Sequence, residues 1–157
     1  MALPFYAAIE NTFDALGRLA MAISAYSEEN AVSAHVSYQL DLAVEELITN
    51  IIKYGYDDER LHTITVDITK SDDGAVTLCI CDDGHFFNPT EIANSRRSAT
   101  NDFNELPVGG WGLSLVRQNA RLFTYERRGE HNQTTVVFAP DATDDKDGAG
   151  KGGMSAT

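Results

Sequence analysis

The chain has 157 residues, and 12 Lys and Arg against 24 Asp and Glu give it a formal net charge of −12 at pH 7. Its length fits one domain, and 43% hydrophobic residues exclude a wholly disordered, collagenous or fibrous chain. Such an acidic field repels duplex nucleic acid and anionic membranes, so we expect neither as a direct partner.

The first third of the chain predicts one edge strand and two helices. Residues 3–9 form a short apolar segment that favours an edge strand. Apolar residues recur at helical spacing over about 12–29 and again over about 33–54, where Gly55 is well placed to end the helix. No basic leader and no long apolar run is visible, so we predict neither a signal peptide nor a membrane span.

Two β-hairpins are predicted in the second half of the chain. Strand-forming residues lie on either side of a Gly-containing turn in both cases. The predicted strands are 64–68 and 76–80 around the turn 71–74, and 123–125 and 135–138 around the turn 129–133. Together with the helices they predict an α+β two-layer sandwich, in which helices cover one face of a mixed, mostly antiparallel sheet.

A polar loop over about 85–108 and a helix over about 111–121 separate the two hairpins. Loops of this length in compact domains are usually functional lids or disordered. Gly84 before the loop, and Gly109 and Gly110 after it, are placed as hinges would be.

Composition predicts the end of the domain and its compartment. Residues 141–157 contain no aromatic residue and no Val, Ile or Leu, so we expect a flexible tail behind a domain that spans 1–140. Cys79 and Cys81 are the only cysteines, which are too few for a Cys-rich zinc site. Reduced thiols in a cytoplasmic protein are the expectation.

Glu46 and Asn50 form the first candidate motif. They lie four residues apart on the second predicted helix, so they share one of its faces. A carboxylate and an amide among apolar neighbours need partners. One interpretation is a solvated polar stripe, and the other is a general base, Glu46, beside an oxygen ligand for Mg²⁺, Asn50.

The second and third motifs follow a strand and precede a helix. Asp82 is in register with the inward residues of its strand, where a carboxylate can accept a hydrogen bond from an amine; Asp-Gly pairs such as Asp83-Gly84 are also common in turns. Gly109, Gly110 and Gly112 open the predicted helix near 111, whose backbone amides can bind an anion. A flexible loop would explain those glycines equally well.

In order and spacing, the three motifs resemble the N, G1 and G2 boxes of the GHKL ATPases, which share the Bergerat nucleotide-binding fold. More narrowly, the sequence is similar to the anti-sigma factor serine/threonine kinases over about residues 5–138. The motifs that carry this resemblance are Glu46-x-x-x-Asn50, Asp82-x-Gly84-x-x-Phe87-Asn88-Pro89 and Gly109-Gly110-x-Gly112-Leu113.

The resemblance implies ATP and Mg²⁺ as cofactors and assigns roles to individual residues. Glu46 would be the catalytic base toward a protein serine, and Asn50 would bind the Mg²⁺ that bridges the ATP phosphates. Asp82 would contact the adenine amine, and residues 85–108 would be the ATP lid. The other implied cofactor-binding residues are Lys53, Gly84, Phe87, Gly110, Gly112 and Leu113.

The resemblance also implies partners and a regulatory role. A sigma factor would be held inactive, and a small antagonist, an anti-anti-sigma protein, would be phosphorylated on serine; a homodimer is a further option. This predicts a cytoplasmic serine/threonine protein kinase that regulates transcription by partner switching.

Two alternatives to the kinase stay open. An ATP-sensing module would bind a partner without phosphoryl transfer, and Val108, where some of these kinases have Arg, leaves room for that. The ATP domain of a histidine kinase would match Asn50-x-x-Lys53-Tyr54, but the first 40 residues offer only His35 as a phospho-acceptor.

Overall fold

The structure, a computed structural model, describes residues 2–98 and 111–140. Five strands and four helices lie in these ranges. In chain order they are β1 (Phe5–Glu10), α1 (Phe13–Glu29), α2 (Ala34–Tyr54), β2 (Thr63–Lys70), β3 (Val76–Asp82), α3 (Pro89–Ser98), α4 (Trp111–Asn119), β4 (Leu122–Arg128) and β5 (His131–Phe138).

The five strands form one sheet in the order β1-β2-β3-β5-β4, and each neighbouring pair is antiparallel. After β3 the chain passes through α3 and α4 to the edge strand β4 and returns to the middle of the sheet as β5. This crossover sets the first residues of β5 beside the last residues of β3. The predicted α+β sandwich with helices on a mostly antiparallel sheet is confirmed.

The core lies between one face of the sheet and the helices. Along β2 and β3 every second side chain is buried, whereas the alternate residues lie on the opposite face. The apolar face of α2 packs into the same core because its buried residues recur at helical spacing. The largest buried side chains include Leu40, Ile48, Ile64, Leu78, Ile80 and Phe138.

Helix α2 begins and ends where its sequence indicates. The Ser33 hydroxyl accepts a hydrogen bond from the Val36 N–H at 3.3 Å, which caps the first turn. At the other end the Gly55 N–H donates to the Ile51 carbonyl at 2.9 Å. The C-terminal part of α2, with Asn50 and Gly55, therefore lies beside the end of β3.

Two local predictions were wrong. Part of the predicted loop 85–108 is the helix α3. This helix is hard to recognise in the sequence because most of its residues are polar. Its buried Ala93 packs against the core. The second hairpin turns at Gly129 and Glu130 rather than over 129–133, so His131, Asn132 and Gln133 belong to β5. Polar residues with low strand propensity form this part of β5 because pairing with β3 and β4 supplies the hydrogen bonds.

Three further predictions concern the tail and the lid, the two cysteines, and membrane-spanning helices. The predicted tail 141–157, and residues 99–110 of the lid and its C-terminal hinge, lie outside the described residues. Cys79 and Cys81 are free thiols. Among the helices of the described ranges, none is long and apolar enough to cross a membrane.

Candidate functional site

A cleft opens between α2, the ends of β3 and β5, and the segment that leads into α3. It encloses about 380 Å³ of atom-free space, counting the part open to solvent. Its walls are mostly apolar, with a few polar side chains among them, which is typical of a small-molecule site. The lining residues are Leu47, Asn50, Ile51, Gly55, Ile80, Asp82, His85, Phe87, Pro89, Asn132 and Thr134.

Asp82 is the buried carboxylate of this cleft. Its Oδ1 accepts hydrogen bonds from the Gly84 N–H and from the Asn132 side-chain amide, both at 2.9 Å. Among the residues that the structure describes, its Oδ2 accepts none, so one oxygen is fixed and the other is available to a ligand. Burial raises the pKa of the Asp82 carboxyl, and the two hydrogen bonds oppose that rise.

Gly84 allows the end of β3 to approach the end of α2. A Cβ at this position would lie 2.6 Å from the Gly55 carbonyl oxygen and 2.9 Å from Asp82 Oδ1, so a larger residue requires the backbone to shift. The next residue, His85, donates its N–H to the same Gly55 carbonyl at 2.8 Å. The wall of the cleft therefore depends on a glycine at 84.

Glu46 lies against the first turn of α4. A Cβ added to Gly112 would overlap the Glu46 carboxyl group, so the glycine permits this contact. The first N–H groups of a helix lack intrahelical acceptors and carry the positive end of its dipole. Burial raises the pKa of the Glu46 carboxyl, Glu45 adds to the rise and Lys53 opposes it.

The other predicted site residues fall into four groups. Asn50 and Phe87 line the cleft, and the Phe87 ring stacks on Tyr54 with centroids 6.5 Å apart. Lys53 is exposed on the last turn of α2. The Leu113 side chain is fully buried in the core, so only its backbone N–H can serve a ligand. Gly110 lies outside the described residues.

Asn132 is a buried polar residue of the cleft that the sequence does not single out. It is buried, and it lies directly opposite Asp82 in the pairing of β5 with β3. The sequence predicts a turn at this position, where an asparagine is common. The signal that would have found it is the inward alternation of Asn132, Thr134 and Val136 along a longer strand.

Comparison with family models assigns the chain. Residues 9–138 match the histidine kinase-like ATPase domain. Because this match covers most of the chain, the chain belongs to that family, whose membership implies ATP binding. The resemblance of the three motifs to the GHKL ATPases is thereby confirmed.

Solved structures share the fold at low sequence identity. The RsbU and RsbW domains of Rv1364c from Mycobacterium tuberculosis match with a TM-score of 0.63 and 14% identity over 87% of this chain and 32% of that chain. The SiaB–SiaC complex from Pseudomonas aeruginosa matches at 0.54 and 16%, over 87% of this chain and 88% of that chain. The histidine kinase domain of a blue-light-activated histidine kinase from Erythrobacter litoralis matches at 0.50 and 16%, over 80% and 59%.

These identities establish likeness of fold and no more. The chain spans 32% of the length of the first of these structures. No curated protein matches the chain.

Proposed function

We propose that the chain is an ATP- and Mg²⁺-dependent serine/threonine protein kinase that acts as an anti-sigma regulator by partner switching. The observation that carries the proposal is buried Asp82, whose Oδ2 accepts no hydrogen bond from the described residues, in a cleft that also contains Asn50, one helical turn from Glu46. The fold shared with an RsbW domain and with SiaB of the SiaB–SiaC complex supports a role in partner switching.

The base of ATP fits the buried end of the cleft. The 6-amino group of adenine is a hydrogen-bond donor, and an ionised Asp82 is an acceptor only. Guanine carries a carbonyl oxygen at the same position, which would face Asp82 without a proton to share. The apolar side chains around the carboxylate, among them Ile80 and Phe87, suit the faces of a purine ring.

The phosphates of ATP would extend from the cleft toward the first turn of α4. The backbone N–H groups of Gly112 and Leu113 would contact phosphate oxygens there, together with Gly110, and Lys53 would add positive charge. The Asn50 side-chain oxygen would hold Mg²⁺, which prefers oxygen ligands and retains water molecules. Bound Mg²⁺ would neutralise phosphate charge.

Glu46 would act on the hydroxyl of the protein substrate. As the serine oxygen bonds to the γ-phosphorus and the bond to the ADP oxygen breaks, the serine proton passes to the Glu46 carboxylate. The raised pKa of Glu46 makes it a stronger proton acceptor than an exposed glutamate. Orientation of the hydroxyl by Glu46 without full proton transfer would use the same geometry.

The partners would be a sigma factor and an anti-anti-sigma protein.

The test of the proposed kinase is a pull-down with the full chain, with and without ATP, followed by incubation of the co-purified proteins with γ-labelled ATP and Mg²⁺. Label on a serine of a co-purified protein is the expected result. ATP-dependent capture without any transfer of label would contradict the kinase and leave an ATP-sensing binding module.

A further inference from the structure

Asn132 occupies the middle of a row of three polar side chains that crosses the sheet. The pairing of β5 sets it opposite Asp82 on β3 and opposite Arg127 on β4. All three strands turn these residues to the same face, where the cleft lies. The row therefore extends from Asp82 in the cleft to Arg127 on the edge strand β4.

The orientation of the Asn132 amide is fixed by its neighbours. Its Nδ2 donates to Asp82 Oδ1 at 2.9 Å and to the His85 carbonyl at 2.8 Å, with the Gly84 carbonyl at 3.3 Å. Its Oδ1 accepts from Arg127 Nη1 at 2.9 Å and from the Tyr125 hydroxyl. Rotating the amide by half a turn would set oxygen against acceptors and NH₂ against donors, so only one orientation satisfies the network.

This orientation determines what Asp82 offers to a ligand. The Asn132 amide donates, and so favours a carboxylate that accepts over a carboxylic acid that donates. It engages Oδ1 together with the Gly84 N–H, which leaves Oδ2 as the acceptor in the cleft. Thr134, also in the cleft, lies two residues further along the same strand.

We propose that Asn132 is a positioning residue for base recognition: it holds Asp82 ionised and oriented so that the cleft prefers a purine with a 6-amino group. The proposal rests on ATP as the nucleotide in this cleft. Arg127 and Tyr125 contribute indirectly by fixing the Asn132 amide. A purely structural Asn132 would instead tie the Gly84–His85 segment to the sheet without affecting the choice of base.

The test compares two nucleotides that differ only at the 6-position. ATP and purine riboside 5′-triphosphate, which lacks the amino group, are titrated with Mg²⁺ into the full chain and into Asn132→Leu, which keeps the branching of the side chain and removes its hydrogen bonds. Wild type should prefer ATP by roughly tenfold or more. In Asn132→Leu this preference should fall to about two- to threefold or less, with little change in affinity for the analogue.

A structural role would weaken both nucleotides equally and leave the preference unchanged, which would overturn the proposal. Gln133→Leu is the matched control, since Gln133 is the next amide on β5 and lies on the opposite face of the sheet. The Gln133→Leu variant should prefer ATP as strongly as wild type does.

A second variant keeps the test decisive if Asn132→Leu fails to fold. Tyr125→Phe combined with Arg127→Met removes both donors to Asn132 Oδ1 at half-buried positions of β4. The preference for ATP should fall in the same direction, and an unchanged preference would overturn the proposal. If wild type does not bind ATP, the proposed function is refuted. If wild type prefers ATP over the analogue and all variants keep that preference, only the role of Asn132 is refuted.

Discussion

The burial of the Asp82 carboxylate has a cost in stability that depends on pH. Its pKa is raised mainly by burial, so the folded protein favours the protonated form more than the unfolded chain does. The stability linked to this group is fully present below the ordinary pKa of an aspartate and is lost as the pH rises through the folded-state pKa. Above the folded-state pKa, ionised Asp82 therefore lowers the free energy of unfolding.

Asp82→Asn should raise the melting temperature near neutral pH by a few degrees. The asparagine oxygen can still accept from Gly84 and Asn132, while the cost of a buried charge is removed. The gain should shrink as the pH falls through the raised pKa of Asp82 and should be smallest below the ordinary pKa of an aspartate. Thermal unfolding from about pH 3 to pH 8 measures it, with exposed Asp72→Asn as the control, and a pH-independent difference would contradict the account.

Glu46→Gln should slow phosphoryl transfer about 10²–10⁴-fold, because the amide cannot take the serine proton. Binding of ATP and of the partners should persist, since Gln and Glu have similar helix propensity. The wild-type rate should fall as the pH is lowered through the raised pKa of Glu46, and the variant should lack that fall. Initial rates across pH test this.

The neighbouring substitution Glu45→Gln is the control for Glu46→Gln. Glu45 is exposed and lies on the same turn of α2. If Glu46→Gln transfers phosphate as fast as wild type, Glu46 is not the base. If Glu45→Gln transfers phosphate slowly instead, Glu45 is the base.

At the scale of elements, the contact of α4 with α2 depends on one missing methyl group. Gly112→Ala should lower the free energy of unfolding by about 1–3 kcal/mol and displace Glu46, because the new Cβ overlaps its carboxyl group. Gly17→Ala is the control, since a Cβ there meets nothing within 4 Å. It should be neutral or stabilising by up to about 1 kcal/mol. Urea unfolding of both variants checks the pair, and equal stabilities would refute the contact.

The elements differ in how well their sequences predict them. Helices α1 and α2 and strands β2 and β3 carry clear apolar periodicity, because each has one face in the core and one outside it. Helix α3 and the start of β5 lack that signal. Their polar residues adopt regular structure because neighbouring elements supply the contacts, which local sequence does not encode.

The candidate site divides in the same way. Spacing within a single helix or at the end of a strand singles out Glu46, Asn50 and Asp82 as candidates, and the resemblance to the GHKL ATPases suggests their roles. The alternation along β5 could place Asn132 on the inward face, but its partnership with Asp82 could not be predicted, because it spans 50 residues of sequence and exists only once the register of β3 and β5 is fixed. The contact of Gly112 with Glu46 depends on tertiary packing in the same sense.

At the scale of the whole molecule, the sequence predicts a domain that does not need its last residues. Deleting 141–157 should leave the melting temperature and the ATP affinity nearly unchanged, because this segment contains no Val, Ile, Leu or aromatic residue to bury. Thermal unfolding and nucleotide titration of the shortened chain check this. A drop of more than a few degrees would show that the segment packs on the domain.

The proposed function requires that ATP binds in the cleft at Asp82 and that Asp82 distinguishes adenine from guanine. Calorimetric titration of the full chain with ATP and with GTP, both with Mg²⁺, tests it most directly. We expect one ATP per chain and an affinity for ATP at least roughly tenfold above that for GTP, because the guanine carbonyl leaves buried Asp82 without a donor. No binding of ATP, or equal affinity for the two nucleotides, would contradict it.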